Sequence, residues 1–201
     1  MKKLFFLLLI SYLTNLFVSA QQDQQQYKGQ FYIAPDFGLM LGSVNRIEIS
    51  PACGYHLTDR FSLAAGFKYE FYSETRLYNN MSAIKTHIIG PRLFARYTVL
   101  NNLDDFLPIG LNASLFAHTE FEGSSLERKY FINTSFHESG RFWYNTILIG
   151  GGFSQVASDR VNLNILVLWD TYTGSIALYT NPIIRFGFQF YIRPKTEELE
   201  Y

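Results

Sequence analysis

Eight stretches of this chain alternate apolar residues with polar or small ones at period two. A strand sends successive side chains to opposite faces, so the alternation predicts strands with one greasy face and one polar face. Phe61–Ser73 shows the pattern. Phe61, Leu63, Ala65, Phe67, Tyr69 and Phe71 form one set, and Ser62, Ala64, Gly66, Lys68, Glu70 and Tyr72 form the other. The other seven stretches are Gln30–Leu41, Ile47–Leu57, Thr86–Thr98, Leu107–Thr119, Trp143–Gln155, Val161–Tyr172 and Ile183–Arg193. Trp143–Gln155 is the least regular and contains Gly150, Gly151 and Gly152. No helical period competes with the alternation. Each stretch is long enough for a tilted strand to cross a bilayer, which takes ~9–11 residues.

Side-chain size assigns the faces. The polar sets are rich in Gly, Ala and Ser, which suits a narrow lumen. The apolar sets carry Phe, Ile, Leu and Val, which suits lipid and on a soluble protein would aggregate. Composition agrees: charged residues are 17% of the chain and aromatics another 17%. The charged share lies below the ~25% of ordinary soluble domains. Expected, therefore, is an all-β, eight-stranded antiparallel up-and-down transmembrane β-barrel preceded by a cleaved signal peptide. The signal peptide is read from residues 1–20, where Lys2 and Lys3 precede the apolar run Leu4–Ile10 and Val18-Ser19-Ala20 supplies a small-residue cleavage site. Residues 21–28 read as a disordered leader, 29–193 as the barrel, and 194–201 as a flexible periplasmic tail. Loss of Lys2 and Lys3 leaves 15 basic against 17 acidic residues, no charge excess that would attract nucleic acid. The single Cys53 excludes an intramolecular disulfide framework.

The connections alternate in length. Thr58-Asp59-Arg60 and Ser158-Asp159-Arg160 are short turns, and Asn101–Phe106 is slightly longer. Glu74–Lys85 and Glu120–Arg141 are long and polar, Thr173–Asn181 is intermediate, and Gly42–Asn45 is short. Short turns on one side and longer loops on the other are the habit of outer-membrane barrels, with the short turns in the periplasm. Gly54–Leu63 and Phe153–Leu163 are alike around their Asp-Arg turns; the shared demands of tight turns account for the similarity, with duplication of a four-strand half as the alternative.

The signal peptide, the eight alternating strands and the Gly-Tyr-His-Leu-Thr-Asp-Arg-Phe-Ser-Leu stretch at 54–63 resemble the small outer-membrane β-barrel proteins of the porin family. The resemblance covers Gln30–Arg193. It implies an eight-stranded barrel in a Gram-negative outer membrane, with no single activity attached. Its implied partners are outer-membrane lipid, lipopolysaccharide and the barrel-insertion machinery. An extracellular ligand of unknown identity and a monomeric state complete the expectation.

Parity places eight strand charges in the lumen: Asp36, Glu48, Glu70 and Asp170 against Lys68, Arg92, Arg96 and Arg185. Four acids match four bases. This lumenal charge network is the candidate functional site, either as paired filling of a narrow lumen or as an ion path. Enzyme readings are weaker. His87, His118 and His137 lie toward the long loops and His56 near a short turn. Ser124, Ser125, His137 and Glu138 fall in one predicted loop, but the His-x-Ser-Asn signature of lipid A deacylases is absent. His137 and Glu138 are adjacent, and adjacent strand residues point apart, so they make a poor metal pair. No cofactor, metal or catalytic residue is assigned. The function expected is an integral outer-membrane barrel with a structural or surface-interaction role. A narrow channel for ions or small solutes is the alternative, followed by a lipid A-modifying enzyme.

Overall fold

The structure, a computed structural model, describes residues 27–41, 44–74, 84–105, 113–131, 140–172 and 178–192. The segment expected to be a signal peptide, the leader up to residue 26 and residues 193–201 lie outside the described residues. Eight strands form the fold: β1 (Phe31–Met40), β2 (Val44–His56), β3 (Phe61–Glu74), β4 (Ile84–Leu100), β5 (Ala113–Glu127), β6 (Arg141–Ser158), β7 (Val161–Asp170) and β8 (Ile183–Tyr191). A short helix, α1 (Arg128–Phe131), follows β5. Each strand pairs antiparallel with the next, and β1 pairs with β8 to close an up-and-down barrel. The eight-stranded barrel expected from the alternation is therefore the fold observed. Closure leaves no sheet edge unpaired.

Period-two burial follows from the pleat. β8 alternates strictly, with Ile183, Arg185, Gly187, Gln189 and Tyr191 buried and Ile184, Phe186, Phe188 and Phe190 exposed. β4 does the same around Arg92 and Phe94. The outward sets are large and apolar all round: Phe31, Ile49, Phe67, Leu93, Ile147 and Phe186 all face away from the barrel axis.

The predicted bounds hold for most strands and fail for β5. The expected strand Leu107–Thr119 runs instead from Ala113 to Glu127, with residues 106–112 outside the described residues. Glu120–Glu127, expected to begin a loop, continues the ladder into register with β6, ending at Glu127↔Arg141. The physical reason lies inside the barrel. Two carboxylates in sequence read as a loop, but facing inward arginines they belong in a strand. Between β4 and β5, Leu103 N–H donates to Ala113 O at 2.7 Å. Gly150, Gly151 and Gly152 stay in unbroken register with Leu168, Val167 and Leu166.

The lumen is filled in layers. Toward the end where β1 begins, Tyr32, Ala34, Ala52, Ala64, Phe94 and Tyr191 form a small apolar cluster. The ring of Tyr32 lies across Gly54, where a Cβ would collide with it. Toward the other end, Ile84, Ile88, Leu126, Leu148, Leu168 and Ile183 form a larger one. Leu178 and Tyr179, from the connection between β7 and β8, fold inward and join it. The inner face is thus less uniformly polar than side-chain size predicts. Charge concentrates between the two clusters.

The N-terminal boundary also moves. Tyr27 and Lys28, assigned to a disordered leader, are ordered against the barrel. Their backbone N–H groups both donate to Asp59 Oδ1 at 3.0 Å. A carboxylate that accepts two consecutive amides fixes the chain where composition alone suggests freedom.

Candidate functional site

Asp36, Glu48, Lys68, Glu70, Arg92, Arg96, Asp170 and Arg185 are all buried inside the barrel. Arg46, Glu120 and Glu122 join them there. β1, β2, β3, β4, β5, β7 and β8 each contribute a charge at an inward position of the pleat. Placement on separate strands brings the charges together across the lumen, where neighbours along one strand would stack on one wall.

Arg185 lies at the centre and is completely enclosed. Its Nε lies 3.0 Å from Glu48 Oε1, its Nη1 donates to Glu120 Oε1 at 3.0 Å, and its Nη2 donates to Glu122 Oε1 at 2.5 Å. One guanidinium thus meets carboxylates from β2 and β5, using its planar fork in several directions. Arg92, equally enclosed, donates from Nη2 to Glu120 Oε2 at 2.7 Å and lies 2.9 Å from Asp36 through Nη1. Nη1 also donates to Ser50 O at 3.0 Å. Lys68 donates to Glu122 Oε2 at 2.8 Å. Arg46 holds Glu70 with a two-pronged pair, Nε to Oε1 and Nη2 to Oε2, both 2.9 Å.

These contacts make one continuous chain of ion pairs. It runs from Arg46 through Glu70, Lys68, Glu122, Arg185, Glu120 and Arg92 to Asp36, with Glu48 as a branch. Arg96 joins at Asp36 across 3.6 Å. Five carboxylates and five cations share this chain. Asp170 stands apart near the longer connections, where it accepts from Thr146 Oγ1, from Tyr144 Oη at 3.2 Å and from Tyr172 N–H at 2.9 Å. The eight charges picked by parity therefore divide into seven network members and one loop clasp.

Donor logic fixes the state of His118. Arg96 Nε–H points at His118 Nδ1 across 3.2 Å, and an arginine can only donate. Nδ1 must accept, so the ring proton sits on Nε2 and is donated to Glu120 Oε2 at 2.9 Å. A neutral imidazole thus links Arg96 to the main network.

The outer side of the network is covered by protein. Tyr179 Oη contacts Lys68 Nζ at 2.5 Å and donates to Glu122 Oε2, and the Arg46 guanidinium lies 4.4 Å from the Tyr179 ring centroid. Arg46 Nη1 also donates to Leu178 O at 2.6 Å. The connection between β7 and β8 is thereby tied to charges on β2, β3 and β5.

The candidate enzyme residues are not gathered. His118 is enclosed in the network, and His56 is buried at the opposite end beside Tyr32 and Tyr191. His87 faces outward, with Nδ1 2.8 Å from Tyr69 Oη. Ser124 and Ser125 belong to β5, not to a loop. His137 and Glu138 lie outside the described residues. Among the described residues no group of three or more His, Cys, Asp or Glu is placed to hold a metal.

Parity over the expected strands leaves out Arg46, which lies one residue before Ile47 in the longer β2, and Glu120 and Glu122, which lie past Thr119 in the longer β5. A signal for the two glutamates was present. Phe121 separates them as an outward residue, so the alternation that includes His118 continues unbroken to Glu122.

No family model matches the chain, and no curated protein matches it in sequence. Similar solved structures exist. The N-terminal β-barrel domain of Pseudomonas aeruginosa OprF is 12% identical, with a TM-score of 0.49 over 82% of this chain and 98% of that one. The de novo designed barrel TMB2.3 is 16% identical, with a TM-score of 0.42 over 83% of this chain and 96% of that one.

Proposed function

We propose that this protein is an integral barrel of a Gram-negative outer membrane, with a structural or surface-interaction role and a lumen closed by paired charges. One observation carries the reading: burial is inverted relative to a soluble protein. Arg92, Lys68 and Arg185 are fully buried, while Ile147 and Phe186 are 51% and 55% exposed. An apolar surface continuous around a closed sheet demands an apolar solvent. Arg or Lys on that surface would cost ~2–4 kcal/mol at the bilayer midplane, and the barrel keeps them inside.

The closed lumen follows from the filling. Arg185 and Arg92 span the interior between opposing carboxylates, with aromatic and aliphatic clusters on both sides. An eight-stranded barrel leaves room for side chains and little else. Lipid and lipopolysaccharide would surround the outward face, and the insertion machinery would assemble it. Any extracellular ligand would meet the longer connections. The protein acts as a monomer without cofactor or catalysis.

Membrane fractionation, gel mobility and planar-bilayer recording test this. The protein should fractionate with the outer membrane, stay there through carbonate extraction, and migrate differently on denaturing gels before and after boiling. It should show no steady conductance. Solubility without detergent would sink the membrane reading. A large, lasting conductance would replace the closed lumen with a channel.

A further inference from the structure

At the end of the barrel where β1 begins, polar side chains that should meet water are buried. Ser62, Asn162, Gln189 and His56 are each less than one-tenth exposed. Their cover comes from outside the strands. Tyr27 lies ahead of β1, and its ring stacks on His56 at 5.1 Å and 22° and on Tyr191 at 5.3 Å and 28°. Tyr32 contacts both of the same rings, at 5.1 Å and 6.3 Å.

The chain is bent back to put Tyr27 there. Gly29 has φ of 80°, a conformation costly for any residue with a Cβ. Gln30 N–H donates to Tyr27 O at 3.0 Å, closing a tight turn, and Gly29 N–H donates to His56 O at 2.9 Å. Asp59, in the turn between β2 and β3, then takes both the Tyr27 and Lys28 amides on one carboxylate oxygen. The Asp-Arg turn at 59–60 therefore has a task that, among the described residues, its look-alike at 159–160 does not share.

We propose that Tyr27–Gly29 is a tethered aromatic stopper, seated on His56 and Tyr191 and latched by Asp59, that seals this end of the barrel against water. The ion network closes the middle of the lumen, and the stopper closes the mouth below it. The latch combines two backbone hydrogen bonds to Asp59, two ring contacts and hydrogen bonds of the Tyr27 side chain with Asn162 and Tyr191, each of modest strength. It is a local seal, and the closed ladder of eight strands does not depend on it. The seal acts whatever medium surrounds the barrel, so its test does not rest on the membrane reading.

Thiol accessibility tests it. In the full-length protein with Cys53→Ser, a reporter is placed by Ser62→Cys, close in size to the serine that Tyr32 Oη contacts. The reporter should react slowly with a small water-soluble methanethiosulfonate. Adding Tyr27→Ala should speed labelling about tenfold, as expected when contacts of this strength are lost. Asp59→Ala should do the same. Tyr27→Phe keeps the stack while giving up the hydroxyl's bonds to Asn162 and Tyr191, and Asp59→Asn keeps the acceptor, so both should stay slower than the corresponding alanine variants. Asp159→Ala, in the sister turn, should also stay slow. Far-ultraviolet circular dichroism and its thermal transition check that each variant is folded, and if Asp59→Ala does not fold, Tyr27→Ala decides alone. The proposal is overturned if the reporter reacts at the rate of an exposed thiol with Tyr27 in place. It is equally overturned if the folded Tyr27→Ala protein stays as slow as its parent.

Discussion

Arg92 on β4 and Glu120 on neighbouring β5 meet at 2.7 Å with both side chains wholly enclosed. The two are not isolated, since Asp36 holds the other side of the same guanidinium. Arg92→Ala therefore leaves two carboxylates short of a partner. Breaking a buried pair by removing one member costs ~3–5 kcal/mol. Urea unfolding in detergent should record that loss. Lys129→Ala removes a solvent-exposed pair with Glu127 and a contact with the Tyr130 ring, and should shift stability far less than Arg92→Ala. Equal effects of the two substitutions would mean that the interior charges are not structural.

His118 bridges Arg96 and Glu120 as acceptor on one nitrogen and donor on the other. A glutamine amide offers the same pair of roles. His118→Gln should stay near wild-type stability, while His118→Phe should lose ~1–3 kcal/mol by leaving polar partners unmet. Thermal unfolding compares them. A phenylalanine as good as glutamine would argue against the assigned proton position.

The outward parity of β8 has a direct test. Phe188 faces away from the axis, 6.4 Å from the ring of Phe37. Phe188→Arg should lower the folded yield in lipid vesicles, with a cost of ~2–4 kcal/mol at mid-depth. Deletion of residues 195–201 should leave insertion unchanged, because β8 ends at Tyr191. If the deletion blocks insertion and Phe188→Arg does not, the strand is not what inserts.

An epitope belongs between residues 131 and 140, past the end of α1 and before β6. Ser125 sits opposite Trp143 in the ladder, so an insertion there would break the sheet. On intact cells the epitope should bind antibody. Binding only after permeabilisation would turn the barrel over.

Most of the barrel was readable from period two, because inside and outside differ at every step of a strand. β8 shows this best, with phenylalanines on one parity and Arg185, Gly187 and Gln189 on the other. What period two does not carry is where a strand ends. Glu120 and Glu122 look like loop residues until Arg92 and Arg185 stand opposite them, and those lie 28 and 63 residues away. Arg46 is hidden for a related reason, at the start of β2 rather than the end of β5, because its partner Glu70 lies on the next strand, 24 residues away. The inward fold of Leu178 and Tyr179 has no local signature either. It depends on charges contributed by three other strands.

Arg185 and Glu48 touch although 137 residues separate them, and Glu120 and Glu122 reach the same guanidinium from β5. No hairpin contains these partners together. A sheet of four or five strands, open along one side, would hold cations and carboxylates that are not yet matched. Exposed to hydrocarbon, each such charge costs several kcal/mol. Partial entry into the bilayer is therefore uphill until the first and last strands join. Closing the β1–β8 seam brings Arg185 to Glu48 on β2 and to Glu120 and Glu122 on β5, so closure of the sheet and the last pairings of the interior are coupled.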